Sequence, residues 1–243
     1  MIKFFRKIRQ KMLTENKFSK YLLYAIGEIL LVMIGILLAL QVNNWNENRK
    51  LRINEISALK EVRRNVDQNI IRLKSFSEND SILLNAGEKL INIFKDENSI
   101  YNDSINTIFG LVGAYEPYYV IDGAYENLKQ KGLNLIQDDD LKQVLIEIFE
   151  QSLPSLEQAG NAFEFEVGKR KNDMALSYFE TGRTLFSMRP NNFNKLKNNQ
   201  EFFNFLTWAV AAKRLTISHR KNSFDETNKA KYLLEKYLEE IDK

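Results

Sequence analysis

From Tyr21 to Val42 the chain reads YLLYAIGEILLVMIGILLALQV, a predominantly apolar run whose one charged residue is Glu28. At a rise of ~1.5 Å per residue this segment covers about 33 Å, enough for the ~30 Å hydrocarbon layer of a bilayer with a little tilt. A soluble core helix of that length needs a polar face, and this one has none. Beyond Trp45 the apolar positions Ile53, Ile56, Leu59, Val66, Ile70 and Leu73 recur every three or four residues, with Arg63 interrupting the stripe. No Gly or Pro lies between Gly35 and Gly87. The pattern therefore predicts that the membrane helix over 21–42 continues as a helical stalk over 43–78, with a helical bundle over 79–243.

Within that bundle the pattern predicts a helix from Ser81 to Phe94, capped by the Asp80/Ser81 pair, then a loop over Asp96 to Ser99 and an apolar stretch from Ile105 to Ala114. Asp122 is placed to cap a helix that stops at Gly132, and Asp138 to cap the next one. Leu133, Leu135 and Ile136 fill the corner between these two helices. Pro154 is expected to open a further helix at its first turn. Two last helices, Asn199 to Arg220 and Ser223 to Ile241, complete an all-α architecture. FFNFLTWAVAA, Phe202 to Ala212, is too short to span a bilayer and reads as a buried core helix.

The formal net charge of +3 is unevenly spread. Residues 1–50 hold nine Lys/Arg against three Asp/Glu, which leaves 26 basic and 29 acidic residues for the rest. The basic excess belongs to the membrane-proximal end and suits anionic lipid, not nucleic acid. The helix after Asp138 carries Glu147 and Glu150, which excludes it as a DNA reader. Cysteine is absent, so disulfides, thiolate catalysis and Cys-ligated metal sites are excluded.

Seven basic residues precede the span (Lys3, Arg6, Lys7, Arg9, Lys11, Lys17, Lys20), whereas Arg49, Lys50 and Arg52 follow it. By the positive-inside rule the N-terminus is cytoplasmic and the large domain lies outside, in the periplasm if the membrane is a bacterial inner membrane. The apolar run exceeds the ~7–15 residues of a signal-peptide core, and no A-x-A cleavage pattern follows Leu38. Residues 1–20 open with MIKFFRKIRQKML, whose Met1, Phe4, Phe5, Ile8 and Met12 share one helical face. This predicts a basic amphipathic segment lying in the cytoplasmic headgroup layer.

Glu28 stands about two turns inside the span, where an ionised carboxylate costs at least ~2.5 kcal/mol without a partner. It shares a helical stripe with Gly35 and Ala39, a small-xxx-small pair that permits close helix approach. Two readings follow. Either Glu28, Gly35 and Ala39 form an interface for a second copy or another membrane protein, or Glu28 sits shallow and reached by water.

The opening MIKFFRKIRQKMLTENKFSKYLLYAIGEILLVMIGILLALQVNNWNE, with its Gly27–Glu28 pair and Asn43 to Asn46 (NNWN), and the later AYENLKQKGLNLI, Ala124 to Ile136, carry a resemblance. In these segments the chain resembles an uncharacterised domain-of-unknown-function family of small single-span membrane proteins from Bacteroidota. The resemblance implies a membrane protein with a helical domain and carries over no activity and no binding residue.

Catalytic chemistry finds little support. The single histidine, His219, has no His/Glu partner at helical ligand spacing and reads as a partly buried helix residue, so no metal is expected. No nucleophile elbow, P-loop or dinucleotide fingerprint occurs, and no cofactor is expected. Asp138 to Asp140, and Glu164 with Glu166, read as capping or solvated carboxylates. Tyr115, Tyr118, Tyr119 and Tyr125 cluster around Pro117 and either line a pocket for a ring-shaped or sugar ligand or pack between helix ends. These features together predict a non-enzymatic, membrane-anchored interaction or scaffold protein. The alternative is a sensor whose helical domain binds a small ligand and signals through a membrane partner.

Overall fold

The computed structural model describes residues 18–180 and 186–241; the basic segment expected over residues 1–20 lies almost wholly outside them. The described chain is built of helices: α1 Phe18–Lys95, α2 Ile105–Leu111, α3 Gly123–Lys131, α4 Asp139–Ile146, the single turn α5 Leu153–Ser155, α6 Asn161–Tyr178, α7 Phe193–Lys197 and α8 Gln200–Ile241. Two π-helical segments, Glu147–Ser152 and Leu156–Gly160, flank α5. The all-α expectation holds. The chain divides into two compact units, residues 1–54 and 55–243.

In the first unit, α1 contains a window long and apolar enough to cross a membrane, and none of that window is buried within the chain. Leu23, Leu31 and Val42 are among the side chains left exposed.

In the second unit, the part of α1 expected to be a stalk is instead the centre of the bundle. Glu55, Leu59, Val62, Val66, Asn69, Leu73, Phe76, Asp80, Leu83, Gly87, Leu90 and Phe94 are all buried, alternating three and four residues apart over 40 residues. This is a heptad seam. It differs from the stripe read off the sequence, which followed Ile53 and Ile70; Ile53 is exposed and Ile70 half-buried. Arg63 lies off the seam and interrupts nothing. Apolarity alone misplaced the stripe because three seam positions are polar: Glu55, Asn69 and Asp80.

The expected helix start at Asp80/Ser81 is likewise absent, and α1 runs unbroken to Lys95. Asp80 is not a cap because its carboxylate is taken by Lys213 and Arg220. Ser81 Oγ donates back to the carbonyl of Ser77, a bond that leaves the helix intact.

α8 runs antiparallel to α1, as four contacts in opposite order show: Glu55 with Tyr237, Asp67 with Lys231, Asp80 with Arg220 and Glu88 with Arg214. Its two expected halves are one helix. Ala209, Thr216, Ser223 and Ala230, seven residues apart and all buried, provide a small-residue seam. At the midpoint Ser223 receives a hydrogen bond from Ser152 Oγ at 2.9 Å, so the Asn222–Ser223 pair is a packing point and not a break. Pro154 does not open a new helix. The chain is helical on both sides of it, and the wider π turns accommodate a residue that removes a backbone donor.

Gly132 ends α3 with φ +102°, in the region glycine favours. Asp138 caps α4 by accepting from Leu141 N at 2.7 Å. Asp122 stands at the start of α3 without a side-chain cap bond. The donor at Ala124 N goes instead to Asn65 Oδ1 of α1, at 2.7 Å.

Candidate functional site

The apolar interior of the second unit falls into two clusters. One is built around Leu59, Val66, Leu128, Leu145, Leu153 and Leu234, the other around Leu90, Phe109, Phe179, Phe202 and Leu206. Along both long helices the change from one cluster to the other is marked by buried polar residues: Asp80 on α1, and Lys213, Thr216, Arg220, Ser223 and Thr227 on α8.

The three charged residues there meet a fourth, Glu164 of α6. Arg220 Nη1 donates to Asp80 Oδ2 at 2.5 Å, and Nη2 donates to Glu164 Oε2 at 2.7 Å. Lys213 Nζ donates to Asp80 Oδ1 at 3.2 Å and to Glu164 Oε1. Each carboxylate thus accepts from both cations, and the quartet is neutral. Arg220 also lies 4.6 Å over the ring of Phe76 and reaches the Glu116 carbonyl at 3.5 Å. All four side chains are at least nine-tenths buried. Such burial is tolerated only because every charge is matched in place.

Glu164 was expected to be solvated. It is instead buried, because α6 turns that position toward α8 while Glu166 remains in the outer layer with Arg170. The missed signal was the seven-residue spacing of Lys213 and Arg220, which places two cations on one face of a long helix.

Cavities adjoin this layer. One of about 310 Å³ lies between α1 and α8, with Arg220 and Asp80 at its base and Leu73, Ile217 and Phe224 as walls. Another, of about 210 Å³, reaches Arg220 from the side of Ala159, Gly160 and His219. His219 itself is exposed and not partly buried as expected, since it lies on α8 between the seam residues Thr216 and Arg220 but turned outward.

The four clustered tyrosines do not share a pocket. Tyr118 and Tyr125 are fully buried, Tyr119 is 54 % exposed, and Tyr115 borders two cavities. Tyr118 Oη donates to Asn69 Oδ1 at 2.9 Å, and burial pushes its hydroxyl pKa well up. Tyr125 stacks on Phe149 at 4.6 Å and donates to Glu150 Oε1 at 2.7 Å. Burial, reinforced by that carboxylate, raises its pKa too.

Three asparagines hold this irregular segment. Asn161 Oδ1 accepts from Tyr118 N and its amide donates to Tyr118 O, at 2.8 and 2.6 Å. Asn69 Oδ1 accepts from Ile121 N at 3.1 Å, and Nδ2 donates to Ile121 O at 2.7 Å. With Asn65 on Ala124 N in the first turn of α3, the polar backbone of the stretch leading into that helix is paired by side chains from two helices.

Lys171 is buried with Nζ donating to the carbonyl of Gly110, near the C-terminus of α2, where a cation is favoured. Burial pulls its pKa down to about 8. The folded value lies below the ordinary 10.5, so the unfolded chain binds more protons between these two pH values, and stability from this residue rises with pH across that window. Below pH ~8 the full penalty of burying the ammonium applies. Comparison of wild type with Lys171→Met by thermal melts should show the variant's relative stability greatest at pH 7 and declining by pH 10. A difference constant over that range excludes a titrating buried lysine.

Of the membrane-helix residues singled out, Glu28 is half-buried, and Gly35 and Ala39 are exposed. A Cβ added at Gly35 meets nothing within 4 Å. Among the described residues no group of three or more His, Asp and Glu side chains is placed to hold a metal ion. Comparison of the chain with protein-family models, curated proteins and solved structures finds no match.

Proposed function

We propose that the protein is a membrane-anchored helical interaction module without catalytic activity, held by α1 in a bacterial inner membrane with residues 55–243 in the periplasm. The observation that carries this reading is the uncovered apolar stretch of α1, in which none of the described residues covers Gly35 or Ala39. The resemblance of the opening segment to single-span proteins of Bacteroidota, and the basic bias ahead of the span, support the placement.

The partner is a second copy or another membrane helix, approaching over Gly35 and Ala39 with Glu28 in the contact. In a membrane-helix association reporter, with insertion level controlled, Gly35→Ile and Ala39→Ile should each weaken association several-fold. Association of both variants at the wild-type level overturns the interface. Orientation is read separately: alkaline phosphatase fused after Lys243 should be active, and an inactive, stably inserted fusion overturns the periplasmic placement.

The cavity against Arg220 favours a second reading, a sensor that binds a small ligand in the bundle. Here the ligand acts on the buried ionic layer, and α1 carries both that layer's Asp80 and the apolar span.

A further inference from the structure

The cavity of about 310 Å³ between α1 and α8 combines three features. Its walls are apolar, its base is the guanidinium of the buried quartet, and its rim carries Lys74 and Lys221. Among the described residues neither rim lysine has an acidic partner, whereas Asp80, the one carboxylate lining the cavity, is already paired with both Lys213 and Arg220. The charge that faces a ligand there is an excess of cations around an apolar chamber. Its volume stands at the small end of the ~300–1,000 Å³ typical of ligand sites.

We propose that this cavity binds a small monocarboxylate with a short aliphatic or aromatic body, the carboxylate held by Lys74 and Lys221 near Arg220 and the body against Leu73, Ile217 and Phe224. The inference rests on the sensor reading and names its ligand class. A carboxylate suits the site because it accepts from two separate ammonium groups at once and can meet a guanidinium edge-on. A neutral ligand of the same shape leaves both lysines as they are and forgoes that gain. Entry of a carboxylate also offers Arg220 a further acceptor beside Asp80, Glu164 and the Glu116 carbonyl, so the bonds to Asp80 and Glu164 redistribute. That is a differential interaction on which a conformational response can be built.

The test uses the full-length chain in phosphatidylcholine nanodiscs, with benzoate and hexanoate as probes and benzamide and hexanamide as neutral counterparts, followed by titration calorimetry. Both acids should bind, at least tenfold tighter than their amides. The exposed double variant Lys74→Gln/Lys221→Gln should lose at least tenfold in acid affinity while melting like wild type. Ser77→Trp, which fills the cavity from its exposed side, should abolish binding. Equal binding of acids and amides, or acid binding unchanged in both variants, overturns the carboxylate assignment, as does the absence of binding by either acid. Hydrogen exchange over Asn69 to Leu90 judges the sensor reading by itself. Acids that bind without altering protection there leave the site standing and sink sensing, whereas amides that alter protection as the acids do leave sensing standing and sink the carboxylate.

Discussion

Arg220→Met is expected to lower the unfolding free energy by about 3–5 kcal/mol, one of the largest effects of any single substitution in this chain. Removal of the guanidinium leaves Asp80 and Glu164 buried with Lys213 as their one cation. A net negative charge then sits between two apolar cores, and methionine, though of suitable length, accepts no part of it. Simultaneous Asp80→Leu, Glu164→Leu, Lys213→Met and Arg220→Met should behave oppositely, with stability near or above wild type, because no charge is left to desolvate. Urea unfolding of the full chain in detergent micelles, followed by far-UV circular dichroism, measures both. An Arg220→Met cost below ~1 kcal/mol excludes a tightly matched quartet. If the quadruple variant is stable but slow to reach a single folded form, the layer serves to set the register of α1 against α8 and not to stabilise the bundle.

Asn69→Leu is expected to cost about 2–4 kcal/mol by the same measurement. Leucine has the right volume for a seam position, so packing is nearly conserved. The loss is of the bonds with Ile121 N and Ile121 O, both part-buried, and with the fully buried Tyr118 Oη. Tyr118→Phe, which removes one hydroxyl from that network, should cost less by itself. Combined with Asn69→Leu it should add little, because the partner is already gone, and strict additivity of the two would exclude a shared network.

Much of the architecture was legible from local pattern. The apolar run over 21–42, the paucity of Gly and Pro and the caps at Gly132 and Asp138 depend on neighbours in sequence, and the structure repeats them in kind. Helix ends proved less legible where a polar residue stood inside a helix. Asp80 with Ser81, and Asn222 with Ser223, have the composition of caps, yet both pairs lie inside unbroken helices. Local grammar reads a polar side chain as a helix terminus because, in an isolated helix, its best partner is its own backbone. In this bundle a better partner stands on another helix.

The candidate site shows the same division more sharply. Nothing near Glu164 in the sequence separates it from Glu166, and the tyrosines around Pro117 look alike although one is exposed and two are core. Charge and aromaticity set what each side chain can do, but the quartet joins positions 80, 164, 213 and 220, and the asparagine clamp joins 65, 69 and 161 to 118–124. What the sequence determined by itself was a long apolar helix, an all-helical remainder and the absence of cysteine chemistry, because backbone periodicity and residue type are local properties. Which polar residues are buried, and against whom, was decided only by the tertiary structure. A buried charge is tolerable only with a matching group at hydrogen-bond distance, and that match depends on the antiparallel register of α1 and α8, to which residues more than a hundred positions apart contribute.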